Sequence, residues 1–160
     1  MRESDRPTDA QVDVERDARE SLLAEHGRLL AEISALRQWC SEVGETGRPR
    51  FGEMGSRVRM LRRRLTKHFA MEEHGGYLAE ALAVAPQFTR EAAELRGQHR
   101  ELLDGLDRLT DGLAAVEPPF QGWQDACRQL NDILNHLRDH EAAENRIVQA
   151  AVEDDLGPGE

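Results

Sequence analysis

Two short segments of the chain each place a histidine and a glutamate four residues apart. The first runs from His68 to Glu72 and is followed by Glu73, and the second runs from His140 to Glu144. If each segment is helical, both of its side chains leave the same helix face one turn apart. Iron, manganese and zinc all accept imidazole nitrogen and carboxylate oxygen as ligands, so each segment is a candidate metal-binding pair.

A single histidine precedes each pair at nearly the same distance. His26 lies 42 residues before His68, and His99 lies 41 residues before His140. The chain therefore reads as a doubled unit, in which a histidine is followed by an HxxxE pair. We predict six metal ligands, which are His26, His68, Glu72, His99, His140 and Glu144.

Four amphipathic segments are predicted to carry these residues. Apolar residues recur every three or four positions over residues 12–43, 53–74, 86–116 and 122–154, and glycine or proline interrupts the pattern between them. Residues 77–84 are predicted to be a short helical connector, residues 1–11 a flexible arm and residues 155–160 a tail. Short turns between long helices favour an all-α, antiparallel up-down-up-down four-helix bundle. A rise of about 1.5 Å per residue then places the four histidines in one layer, with Glu72 and Glu144 one turn deeper.

The two glutamates decide between a structural and a metal-binding interpretation. A lone histidine on an apolar helix face is more often a hydrogen-bonded core residue than a ligand. A buried carboxylate, however, costs several kcal/mol unless a cation pairs with it, and no lysine or arginine occupies a nearby core position. Two bridging glutamates imply two metal ions. Two octahedral ions have about twelve coordination positions, of which about two would stay open for dioxygen, peroxide or nitric oxide.

Composition excludes several other classes of protein. A formal net charge of −10 argues against nucleic acid or an anionic membrane as partner, and the basic run between Arg57 and Lys67 is interpreted as a solvated helix face. The chain has no run of about 18 apolar residues that would span a membrane. Its first residues lack the apolar core of a secretory signal, so we expect a cytoplasmic protein.

Two cysteines and two tryptophans are predicted to lie at one end of the bundle. Cys40 is near the end of the first helix and Cys127 near the start of the fourth, with Trp39 and Trp123 beside them. Two cysteines form neither a disulfide framework nor a zinc pattern, so free, buried thiols are expected. No serine, threonine or cysteine adjoins a core histidine in a strained turn, so no catalytic nucleophile is assigned.

The order of the six candidate ligands resembles the hemerythrin-like (HHE cation-binding) family of bacteria, over residues 12 to 154. The string His68-Phe69-Ala70-Met71-Glu72-Glu73 and the second HxxxE pair carry the resemblance. The resemblance implies a four-helix bundle around a non-haem diiron centre with an oxo or hydroxo bridge, with manganese as an alternative metal. It places the same six residues in the ligand positions.

The sequence departs from the worm oxygen carriers of this superfamily. Those proteins have a histidine pair one turn apart on the third helix and an aspartate on the fourth, whereas the chain has Leu95 and Leu103 beside His99, and Glu144 on the fourth helix. One imidazole is missing, which favours sensing, peroxide chemistry or iron handling over reversible oxygen carriage. His136 and Glu73 are the candidates for an additional ligand or for a hydrogen bond to a ligand.

Three functions follow from these observations. The first is a diiron protein that binds dioxygen, peroxide or nitric oxide for sensing or detoxification, with a separate signalling partner. The second is a diiron peroxidase or oxidase, whose turnover Glu72→Ala should abolish. The third is a metal-free helical interaction bundle, which should contain no stoichiometric iron. A ferritin-like carboxylate bundle is disfavoured because it uses ExxH pairs.

Overall fold

The computed structural model describes residues 8–75, 81–83 and 85–155, and within these ranges the chain forms helices and turns without any β-strand. Four long helices follow one another, which we number α1 (Asp9–Thr46), α2 (Phe51–Gly75), α3 (Thr89–Ala114) and α4 (Trp123–Asp155). A 3-10 turn, Pro86–Phe88, leads into α3. The all-α prediction is confirmed for the described residues. None of the helices among them combines the length and apolar character that a membrane crossing requires.

Helix α1 begins three residues earlier than the hydrophobic pattern predicts. The backbone N–H of Thr8 donates to Gln11 Oε1 at 3.1 Å, and the N–H of Gln11 donates to the Thr8 carbonyl at 2.8 Å. These bonds satisfy polar groups of the first turn without any apolar residue, so the apolar pattern does not detect them. Residues 9–11 therefore belong to the helix rather than to the predicted arm, and residues 1–7 lie outside the described part of the chain.

The other helix ends lie within three residues of their predicted positions. At the end of α1, Gly47 has a left-handed φ of 68° and donates its N–H to the Gly44 carbonyl at 3.2 Å, a common way to end a helix. Of the predicted connector and tail, residues 81–83 are helical and Asp155 ends α4. Residues 76–80, 84 and 156–160 lie outside the described residues.

Contacts between α1 and α4 show that these two helices run in opposite directions. The Trp123 indole at the start of α4 donates to the Cys40 carbonyl near the end of α1, at 2.9 Å. His26, earlier in α1, donates from Nδ1 to Asn145 Oδ1, late in α4, at 2.6 Å. The same opposite order holds for α2 with α3 and for α3 with α4. The contacts that show it are Arg62–Asp107, Phe69–His99, Gln98–His140 and Glu91–Arg146.

Buried apolar side chains form two clusters with polar residues between them along the helices. The larger cluster includes Leu102 to Leu113 of α3 and Trp123 to Leu137 of α4. The smaller one consists mostly of alanines, which are Ala81, Ala85, Ala92, Ala143 and Ala151, together with Leu95 and Ile147. Fully burying a leucine contributes about 1.5–3 kcal/mol, so the larger cluster provides most of the hydrophobic stabilisation. His99 and His140 lie between the two clusters in sequence, and Glu144 lies within the span of the smaller one.

The cysteines and tryptophans pack together at the α1–α4 end, as predicted. The Trp39 and Trp123 rings meet edge to face with centroids 5.5 Å apart, and Cys127 Sγ lies 3.9 Å from the Cys40 carbonyl oxygen. Both cysteines are free, and burial raises the pKa of the Cys40 thiol to about 12. A thiol with so high a pKa is almost never a thiolate at neutral pH, so Cys40 serves as a small apolar side chain.

Candidate metal centre

The structure brings all six predicted ligands into one buried cluster. Each of the six side chains belongs to a residue that is at most 5% exposed. Their ligand atoms fall into two groups, within each of which the atoms lie inside 4.8 Å of one another. The first group contains His26 and His68, the second contains His99 and His140, and both contain Glu72 and Glu144. The positions of these residues along the predicted helices, counted from the sequence, thus agree with the cluster in the structure.

The two glutamates shared by the groups each face both histidine pairs. Glu72 places Oε1 3.3 Å from His26 Nε2, and the same oxygen contacts His68 Nε2, while Oε2 lies 3.2 Å from His99 Nε2. Each oxygen of this carboxylate therefore faces a different histidine pair. A carboxylate that bridges two metal ions has this arrangement, with one oxygen directed at each ion.

Glu144 also directs one oxygen at each histidine pair, but here Oε2 faces His26 and Oε1 faces His99 and His140. Its Oε2 lies 3.5 Å from His26 Nε2, and its Oε1 lies 3.2 Å from His99 Nε2 and 2.8 Å from His140 Nε2. The HxxxE spacing within α4 explains the short contact to His140, because residues four apart share a helix face. The contact to His26 depends on the packing of α4 against α1.

A third buried carboxylate, Glu141, was not predicted from the sequence. It is 0% exposed, with Oε2 2.8 Å from His26 Nε2 and Oε1 3.3 Å from His68 Nε2, and its ligand atom belongs to the first group. The HxxxE pattern treats this position as a spacer. Its distance of three residues from Glu144 is a signal that could have found it, because residues three apart also lie on neighbouring parts of one helix face.

Three of the four histidines are oriented by a side-chain oxygen at Nδ1, the nitrogen that faces away from Glu72 and Glu144. An oxygen acceptor at Nδ1 places the proton there, which leaves the Nε2 lone pair directed into the cluster. This is the tautomer that a metal ligand requires. The pairs are His26 with Asn145 at 2.6 Å, His99 with Glu73 at 3.1 Å and His140 with Gln98 at 3.0 Å.

The structure separates the two additional candidates, Glu73 and His136. The Glu73 side chain is 38% exposed, and its carboxylate accepts the Nδ1 hydrogen bond of His99 from outside the cluster. His136 is exposed and belongs to neither group of converging ligand atoms. It precedes His140 by four residues, but its side chain faces solvent.

The unpaired atoms of the cluster fit a bound cation. Among the described residues, buried atoms without a hydrogen-bond partner include Nε2 of His68 and His140, Oε2 of Glu72 and Glu144, and both carboxylate oxygens of Glu141. Leaving such an atom unpaired costs about 1–3 kcal/mol. The lone pairs of neutral imidazoles and the carboxylate oxygens are all acceptors, so they need protons or metal ions between them. Metal ions would satisfy them together.

The pKa values of the histidines show the same excess of negative charge. Burial alone would lower the pKa of His26, but its close contacts with the Glu141 and Glu72 carboxylates raise it to about 10. The same two carboxylates raise the pKa of His68 to about 9, again against the effect of burial. The cluster therefore attracts positive charge, which protons supply in the absence of metal and which two divalent ions would supply more fully.

A small pocket reaches the cluster next to His99. It encloses about 10 Å³ and is lined by Glu72, Glu73, Ala92, Arg96 and His99. Glu72 and His99 are buried ligand candidates, whereas Glu73 and Arg96 are exposed, so the pocket leads from the surface towards the second group. About one water-sized molecule fits in a volume of this size.

A buried cluster of histidines and carboxylates within an all-helical chain is characteristic of helical metal-binding proteins. The family model of the hemerythrin HHE cation binding domain matches residues 17–152, so the chain belongs to this family. This confirms the resemblance inferred from the HxxxE pairs. Comparison with curated proteins and with solved structures finds no match in either case.

Proposed function

We propose that this chain is a non-haem diiron protein that binds dioxygen, peroxide or nitric oxide for sensing or detoxification. In this proposal the four helices form an up-down-up-down bundle, and its core holds two iron ions. One observation carries the proposal: Glu72 and Glu144 each direct one oxygen at each of two histidine pairs. Two such carboxylates suit two ions better than one.

The donor set supports iron, with manganese as the alternative. Imidazole and carboxylate suit both metals, and the cysteines lie at the other end of the α1–α4 pair, beside Trp123, so thiolate takes no part. A bound iron pair supplies one-electron chemistry and an open coordination position for a small oxidant. The side chains of the protein hold the ions, fix the imidazole tautomers from Nδ1 and limit access of water, because apolar clusters lie on both sides.

The size of the pocket favours a small oxidant over an organic substrate. A volume of about 10 Å³ next to His99 has room for about one water-sized molecule, far less than an organic substrate needs. A peroxidase or oxidase with this centre would need to receive electrons from a reductant outside the pocket. Binding for sensing needs no reductant, whereas detoxification of peroxide by reduction needs two electrons per molecule, so sensing makes the smaller demand on the site.

Acidic residues pair with part of the basic run on the surface of α2. On α2, Arg57 pairs with Glu53 and Arg62 with Asp107, so part of its basic run is neutralised within the chain. Together with the net charge of −10, this supports a partner that is neither nucleic acid nor an anionic membrane. We propose a separate signalling partner and a cytoplasmic location, where free thiols such as Cys40 persist.

The first test is the metal content of untagged protein. The metal-free chain is reconstituted with iron(II) under anaerobic, reducing conditions, and iron and manganese are then measured per chain together with the near-ultraviolet and visible spectrum. We expect two irons per chain, and a spectral change on adding dioxygen, peroxide or nitric oxide. A chain that takes up no metal would overturn the proposal and leave a metal-free interaction bundle.

A second measurement separates binding from catalysis. Hydrogen peroxide and an excess of a reductant such as ascorbate are added to the iron-loaded protein and to Glu72→Ala, and peroxide consumption is followed over many equivalents. A sensor or binding protein should react stoichiometrically. Sustained consumption that Glu72→Ala abolishes would assign the diiron peroxidase instead.

A further inference from the structure

Glu141 is the buried charge that the six-ligand set leaves unexplained. It is 0% exposed, and neither of its carboxylate oxygens has a hydrogen-bond donor among the described residues. Both oxygens face histidine nitrogens, with His26 Nε2 at 2.8 Å and His68 Nε2 at 3.3 Å. A carboxylate held in this way requires a cation, since burial without one costs several kcal/mol.

The tautomer of His26 shows why a cation is needed between His26 and Glu141. Asn145 Oδ1 lies 2.6 Å from His26 Nδ1 and accepts its proton, so the neutral imidazole presents a lone pair at Nε2. This lone pair meets the Glu141 oxygen at 2.8 Å. Two acceptors at such a distance repel each other unless a proton or a metal ion lies between them.

We propose that Glu141 is a terminal ligand of the ion held by His26 and His68, an inference that rests on the proposed diiron function. This ion then has five protein side chains around it, whereas the ion held by His99 and His140 has four. The two ions are inequivalent. The open coordination position belongs to the second ion, and the pocket beside His99 lies on that side of the cluster.

A third carboxylate also changes the charge of the centre. Two divalent ions bring four positive charges, and three glutamates remove all but one of them. A neutral imidazole in place of Glu141 would leave the centre more positive. Glu141 should therefore favour the ferric state and lower the reduction potential of the ion that it binds.

The test compares Glu141→Gln with Asp139→Asn. Both variants remove one negative charge from α4, but Asp139 has a side chain that is 70% exposed. Each metal-free protein is titrated anaerobically with iron(II) against a competing chelator, and ⁵⁷Fe Mössbauer spectra are recorded. Wild type and Asp139→Asn should bind two irons in two distinct environments. Glu141→Gln should bind one iron at least about ten- to a hundredfold more weakly, since that is the loss found when a residue that only hydrogen-bonds to a ligand is removed.

Double variants identify which iron Glu141 binds. Adding His68→Gln to Glu141→Gln should weaken the same iron further and leave the other iron unchanged, because both residues hold the same ion. Adding His140→Gln should weaken the remaining iron as well. If Glu141→Gln fails to fold by circular dichroism, Glu141→Asp keeps the charge, shortens the side chain and should still shift the same Mössbauer component.

The outcomes separate this inference from the function on which it rests. If wild type takes up no iron, the proposed function fails and the role of Glu141 fails with it. If wild type binds two irons and Glu141→Gln binds them with unchanged affinity and spectrum, only the role of Glu141 is overturned. Selective loss of the iron shared with His68 supports both.

Discussion

The phenyl ring of Phe69 lies flat against the imidazole of His99, with centroids 3.9 Å apart and planes inclined by 6°. The same phenyl ring meets His140 edge to face at 5.6 Å. Phe69 is itself buried at 3% exposure and follows His68 directly in α2. One apolar side chain therefore helps to fix the orientation of both histidines of the second group.

The first prediction concerns this stacking. Phe69→Leu should destabilise the metal-free protein by about 1–2 kcal/mol, because it removes buried ring contacts and leaves space beside His99. It should also weaken binding of the second ion, because the imidazole can then rotate. Denaturant unfolding and iron(II) titration measure the two effects. Met71→Leu is the control on α2, since Met71 is 55% exposed, and an equal loss in both variants would contradict the role of Phe69.

The second prediction concerns the hydrogen bond that orients His26. Asn145→Ala removes the acceptor at Nδ1, so the imidazole can adopt the tautomer that points an N–H into the cluster. Affinity for one iron should fall about ten- to a hundredfold. Asn145→Asp keeps an oxygen at this position and should retain most of the affinity. If the alanine and aspartate variants bind iron equally well, Asn145 does not fix the tautomer.

The third prediction is that metal uptake releases protons. The pKa values of His26, His68 and His99 are raised to about 10, 9 and 10, because nearby carboxylates outweigh the effect of burial. Below about pH 9 a metal ion must therefore displace protons from these imidazoles, up to about three per chain. Apparent affinity should rise with pH, by about tenfold per pH unit for each proton displaced.

Manganese(II) titrations between about pH 6 and pH 8 test this dependence without oxidation of the metal. Calorimetry in buffers of different ionisation enthalpy counts the released protons directly. Affinity that does not change over this range would show that the metal-free imidazoles are already neutral. His136→Gln serves as a control, because an exposed histidine outside the cluster should not change the proton count.

The fourth prediction concerns access to the centre. Ala92 lines the pocket beside His99 and is 4% exposed. Ala92→Leu should fill the pocket and slow the binding of a small probe such as azide or nitric oxide, while the iron content stays at two per chain. Stopped-flow absorption gives the rate. Arg96→Lys, which keeps the charge of another pocket residue, should have a smaller effect. An unchanged rate in Ala92→Leu would place the access route elsewhere.

Local spacing explains why most of the cluster could be predicted. His68 with Glu72 and His140 with Glu144 are related by the helix period alone, so their pairing needs no knowledge of tertiary structure. His26 and His99 follow from similar helix lengths, which place them at similar depths. The all-α fold and the family follow from the same regularities.

For Glu141 the spacing gives only the distance of three residues from Glu144, and its burial depends on how α1 lies against α4. It follows His140 directly, so a helix turns it by about 100° from that histidine. Only the approach of His26 and His68 makes this direction a buried one. The start of α1 was predicted three residues too late for a different reason. The Thr8–Gln11 hydrogen bonds that begin the helix involve polar groups, which the hydrophobic pattern does not include.

The candidate metal centre links two apolar clusters of unequal size. The alanine-rich cluster contains few large side chains and buries little apolar surface by itself. We expect the cooperativity between the alanine-rich and leucine-rich clusters to depend on whether metal ions are bound at the centre. When the ions leave, contacts between protonated histidines and carboxylates replace the metal bonds that join the helices, and the alanine-rich end should exchange its amide hydrogens first. The occupancy of the centre would then be expressed as order or disorder at one end of the molecule.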